Sequence, residues 1–211
     1  MVQDARAVGF PEDVFDVFAI PGFEDRMPRL KELITPRLRV LGDLLVPPVS
    51  DLAGEILHSH VALHMRRRVN PPTDTWVAFG PSARGYKSLP HFEVGVNRES
   101  VFTRFAIKPE GQDQKGPFFR AVSLARLKEL TAGHDVYWYA GEHGEDPVPV
   151  AAIKPRTWTG LKARALKKDA SLTIGLVIAR DNPVVEGPSL AAELVARIQV
   201  LSPLYRAARR L

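Results

Sequence analysis

The sequence predicts an α+β fold, with helices from both ends of the chain packed on a mixed, mostly antiparallel sheet of about five to six strands. Three observations predict it. An apolar run at helical spacing precedes residue 47, four β-like segments with short connections follow it, and a second helical run begins at Ser189.

After a short segment around "PEDVFDVF", the run "FEDRMPRLKELITPRLRVLGDLL" spaces Met27, Leu30, Leu33, Ile34, Leu38, Leu41, Leu44 and Leu45 as one helical face. Thr35-Pro36 suits a cap and first turn, so the run reads as two helices or one kinked helix, ended by Pro47-Pro48. Strands are expected over residues 56–69, 75–80, 90–97 and 100–108, as an antiparallel meander. "GPFFRAVSLARLKELTAG" reads as a single amphipathic helix closed by Gly133. "DVYWYAG" is strand-like, "TWTGLKARALKK" a basic surface helix, and "SLTIGLVIAR" an apolar strand buried on both faces. Leu190, Leu194, Ile198, Leu201 and Tyr205 mark the last helix, which Pro203 is expected to bend. No loop has the length of an interdomain linker, so residues 1–211 read as a single domain.

Composition narrows the chemistry. The chain has 211 residues, 45% hydrophobic and 25% charged, enough for one sizeable core. It has no cysteine, which excludes disulfides, thiolate metal sites, iron–sulfur clusters and cysteine nucleophiles. Lys and Arg exceed Asp and Glu by 29 to 24, a balance that permits phosphate-bearing partners, nucleic acid included, without requiring them. The first residues lack an apolar signal core, and no apolar run approaches the ~20 residues that span a bilayer. A cytoplasmic protein with no membrane partner is expected.

The stretch "HSHVALHMRRRVNPPTDTW", residues 58–76, carries the strongest chemical signal. His60 and His64 would share a metal ion on a helix, but on a strand they stand ~13 Å apart. Alternation favours the strand: five of the seven odd positions from Leu57 to Val69 are apolar, and six of the seven even positions from His58 to Asn70 are polar. The polar face then carries His60, His64, Arg66 and Arg68. His91 and Glu93 share a face of a later strand, where Glu93 is a candidate partner for these cations. The turn "GPSARGYKSLPHF" adds Arg84, Tyr86 and Lys87 around Gly85 but lacks the Walker A spacing. Trp76 suits stacking on a base or sugar, although a strand tryptophan is more often core.

The run "HVALHMRRRVNPPTDTWVAF", followed by "RGYKSLPHFEVGV" and "VFTRFAI", resembles the YktB-like family of uncharacterised bacterial proteins. The opening "GFEDRMPRLKELITPRL" and "LAGE" fit the same pattern. The resemblance covers most of residues 10–108 and implies a cytoplasmic bacterial protein with an α+β fold. It implies no reaction and no cofactor. The matching positions are His60, His64, Arg67, Asn70, Pro71, Pro72, Asp74, Trp76, Arg84, Gly85, Tyr86, Lys87, Pro90, His91 and Phe92. After residue 108 the sequence departs from the pattern, which leaves His134 and His143 without support from it.

Three functions compete. One is a domain that binds a small anionic ligand or nucleotide through His60, His64, Arg66, Arg68, Trp76, Arg84, Tyr86, Lys87 and His91. A second is a metal-dependent hydrolase using His60, His64 and His91, with Glu93 or Asp74 as base, although no HExxH is present. The third is a structural or protein-interaction module, indicated only by "YRAARRL" and the basic helix around Lys162, Arg164, Lys167 and Lys168. Serine catalysis and dinucleotide binding lack GxSxG and GxGxxG.

Overall fold

Alternating apolar side chains build a seven-stranded sheet in the computed structural model, which describes residues 8–64, 69–141, 143 and 145–210. Two short helices, α1 (Glu12–Asp16) and α2 (Phe23–Arg29), lead through a π turn at Leu30–Ile34 into α3 (Thr35–Ala53). Pro36 has no N–H to donate, and the widened turn absorbs that loss while Thr35 Oγ1 donates to the Leu30 carbonyl. Pro47-Pro48 do not end α3, contrary to the expectation. Leu38, Leu41, Leu45, Val49 and Ala53 form one fully buried row, and burying Val49 and Ala53 offsets the missing hydrogen bonds. Gly54 then closes the helix at φ 81°.

Strands β1 (His58–Val61), β2 (Asp74–Gly80), β3 (His91–Asn97) and β4 (Ser100–Ile107) form the expected antiparallel meander. The first strand is far shorter than the expected 56–69. One more ladder bond joins the Ala62 amide to the Trp76 carbonyl, and then His64 turns to φ 49° and leaves the sheet. Leu57 and Val61 meet the core as the alternation requires, but Leu63 is exposed. Arg66, Arg67 and Arg68 lie outside the described residues.

The expected single helix over residues 116–133 is two: α4 (Gln112–Ala121) and α5 (Leu124–Leu130). Val122 is extended and fully buried, and Ser123 restarts the helix by accepting the Arg126 N–H. Strands β5 (Tyr137–Tyr139) and β6 (Val148–Pro149), helix α6 (Pro155–Ala165), strand β7 (Leu172–Ala179) and helix α7 (Leu190–Arg209) complete the chain. The two-residue β6 carries no alternation and makes the sheet one strand larger than the sequence indicates. Strand order is β1-β2-β3-β4-β7-β5-β6, and each of these pairings is antiparallel.

Helices α3 and α7 pack on each other and on one sheet face, α3 against β1 and β2, α7 against β3 and β4. That face carries Val77, Phe79, Phe92, Val94, Phe105 and Ile174, with Phe92 stacked on Tyr205 at 4.8 Å. The opposite face is different in kind. Its cross-strand row runs His60, Ala78, Glu93, Arg104, Gly175, Tyr137, and a small second cluster of Ala62, Trp76, Ala78, Tyr86 and Phe102 lies beside it. Among the described residues no helix is long and apolar enough to cross a membrane.

Candidate functional site

Charged side chains crowd a part of the second face that water does not reach. Asp74, His91 and Glu93 have no exposed surface, and Arg104 and Lys108 are all but fully buried. Burying such charges is costly unless each is paired, and they are paired. Arg104 Nη1 donates to Asp74 Oδ2 at 3.1 Å, and Lys108 Nζ lies 2.8 Å from Glu93 Oε1. Burial alone would push both carboxyls up. For Glu93 the charge of Lys108 and the hydrogen bond from His91 outweigh that effect, and for Asp74 the hydrogen bond from His143 and the charge of Arg104 do so. Both acids are therefore held below the ordinary carboxylate range. Glu93 Oε2 is buried without a hydrogen-bond partner among the described residues, a costly arrangement of the kind that native folds rarely retain without a use.

Above this layer lies a cleft of about 830 Å³. Trp76 and Tyr86 form its floor, locked together because Trp76 Nε1–H donates to the Tyr86 hydroxyl at 3.1 Å. Lys108 Nζ sits 4.6 Å from the centre of the Trp76 ring, so the buried ionic layer touches the underside of the floor. Three imidazoles line the walls. His60 Nε2 donates to the Ser82 carbonyl at 2.9 Å, His64 Nε2 meets Thr75 Oγ1 at 3.0 Å, and His143 Nδ1 meets Asp74 Oδ1 at 2.7 Å. Arg84 and Lys87 stand on the lip, carried there by the Gly-containing turn after β2.

The fold thus gathers His60, His64, Trp76, Arg84, Tyr86 and Lys87 in one cleft. His91 is not on its wall. It lies below Tyr86, with ring centres 4.7 Å apart, and its Nδ1 and Nε2 face the Leu89 carbonyl and Glu93. Arg66 and Arg68 fall outside the described residues. The trio His60, His64 and His91 is not assembled as a metal site: each ring has its own separate partner, and no group of three or more His, Cys, Asp or Glu among the described residues is placed to hold an ion. Trp76 is core, as strand tryptophans usually are, and meets the cleft only with the surface left to it.

Sequence reasoning missed His143 as a wall residue, and Asp74 entered it only as a candidate base. Their contact joins residues 69 positions apart, and no local motif signals it.

The domain of unknown function DUF1054 matches residues 10–205, almost the whole of this arrangement. The chain is 33% identical over 201 residues to a UPF0637 protein of Bacillus licheniformis, covering 93% of this chain and 94% of that one. A UPF0637 protein of Bacillus cytotoxicus is 34% identical over 200 residues, with 93% and 95% covered. A UPF0637 protein of Staphylococcus haemolyticus is 45% identical over 104 residues; there the match spans 49% of this chain and only about half, 51%, of the relative. With both sheet faces inside the matched span, the chain belongs to the DUF1054 family, the YktB-like proteins of bacteria.

Proposed function

We propose that the cleft binds a small anionic ligand, a phosphorylated molecule such as a nucleotide. The observation that carries this reading is the charge of its lining. Arg84 and Lys87 are set against one carboxylate, Glu110, among the described residues that line it. Glu110 sits 3.7 Å from Lys87, an exposed contact that a phosphate competes with easily. Arginine offers two parallel donors to a phosphate and lysine a movable point charge, so the lip matches an anion of several oxygens. The apolar floor of Trp76, Tyr86 and Ala62 gives the uncharged part of the ligand a surface to cover.

Titration with ATP, inorganic polyphosphate and a short RNA at two salt concentrations tests the reading. Saturable binding that weakens with salt is expected. An Arg84→Ala/Lys87→Ala double variant should lose about tenfold or more in affinity, the loss equivalent to about 1.4 kcal/mol. Absence of saturable binding to any of the three overturns the reading.

A further inference from the structure

One wall residue rests on a buried acid. His60 and His64 rest on a backbone carbonyl and a threonine hydroxyl, both neutral. His143, which lines the same cleft, meets a carboxylate, Asp74, at 2.7 Å. Asp74 is completely buried, and its other oxygen accepts from Arg104. An ionised carboxylate only accepts, so the proton of the contact belongs to His143 Nδ1 and the ring's tautomer is set. The proton that the ring exchanges is then the one at Nε2. The His143 side chain is 23% exposed and lines the same cleft as Arg84 and Lys87. The His143 backbone N–H donates to Glu145 Oε2 at 3.0 Å.

A buried acid, a histidine fixed by it and an anion-binding lip around one cleft are the parts of a hydrolytic site. We infer that His143, positioned by Asp74, is the general acid–base group for hydrolysis of a phosphate ester or anhydride bound in the cleft. The inference rests on the anion-binding reading above. Nε2 takes a proton from water as the water oxygen forms its bond to phosphorus. The phosphorus–oxygen bond to the leaving group breaks, its electron pair stays on the leaving oxygen, and the proton passes from Nε2 to that oxygen. One water is consumed and nothing is oxidised or reduced. Arg84 and Lys87 take up charge on the phosphoryl oxygens. Asp74 touches no reacting atom; it holds the ring's orientation and steadies the imidazolium as it forms.

The test uses the full chain with p-nitrophenyl phosphate, bis-p-nitrophenyl phosphate and ATP as substrates, and inorganic phosphate as a binding probe followed by calorimetry. Release of nitrophenolate or phosphate from at least one substrate is expected. His143→Gln should lower kcat by about a hundredfold or more, while phosphate affinity stays within a few-fold. Added imidazole should restore part of the turnover of His143→Gly. Asp74→Asn should lower kcat and move the acid limb of the pH profile to lower pH, since the imidazolium loses its anion. His143 is partly exposed, so its variants report even if Asp74→Asn fails to fold. Phosphate binding with no turnover of any substrate, or full turnover in His143→Gln, overturns the inference and leaves the binding reading standing. Failure of phosphate and all three substrates to bind overturns both.

Discussion

Glu93 carries its charge where no water reaches it, and three cationic or hydrogen-bonding neighbours keep it there: Lys108, His91 and, across the sheet, Arg104. Asp74 is held in the same way by His143 and Arg104. In both residues the folded carboxyl is depressed below its value in the unfolded chain. The stability that each contributes is therefore complete above the unfolded value and is lost as pH falls through the folded one. Urea unfolding between pH 7 and pH 3 should show a free energy that falls once the pH drops below about 4.5, where unfolded glutamate begins to bind protons. Glu93→Gln should flatten that slope and cost up to about 3–5 kcal/mol at neutral pH, because Lys108 stays buried beside a neutral amide. Stability unchanged down to pH 3 in the native protein would show that these carboxylates are not depressed.

At the scale of elements, the site depends on strands that leave room for large side chains on one face. Gly95 is the cross-strand neighbour of both Trp76 and Phe102. A Cβ there would meet Phe102 Cζ and the Thr75 carbonyl at 2.4 Å, and Trp76 Cβ at 2.7 Å. Backbone and two packed rings do not yield to such an intrusion. Gly95→Ala should cost about 1–3 kcal/mol and shift the tryptophan fluorescence as Trp76 leaves its bond with Tyr86. An unchanged spectrum and melting point would mean that the floor is softer than its packing implies. The meander was readable because two-residue periodicity reports which face is buried; the register then shows His60, Trp76 and Glu93 on a common side. The turn with Arg84 and Lys87 was readable as basic and flexible. What periodicity does not report is where a strand stops, and His64 turned out of the ladder at a conformation that nothing in its neighbours announces. Prolines misled in the other direction: at residues 47 and 48 the gain from continuing a buried row outweighs the local penalty. Asp74 and His143 meet through the tertiary fold alone, so neither spacing nor pattern connects them.

The whole molecule divides its labour between the two faces of one sheet. Helices α3 and α7 cover one face with apolar side chains from both ends of the chain, and stability resides largely there. The other face holds a layer of buried ion pairs with the cleft above it. Binding residues are often carried by segments that a rigid scaffold positions. The basic helix α6 offers a competing destination for anions, since Arg156 and Arg164 are exposed on it. A crystal structure of the protein grown with inorganic phosphate separates the two most directly. The account predicts phosphate in the cleft, with donors of Arg84 or Lys87 about 3 Å from its oxygens. Phosphate bound only along α6, with the cleft holding none at saturating concentration, would contradict it.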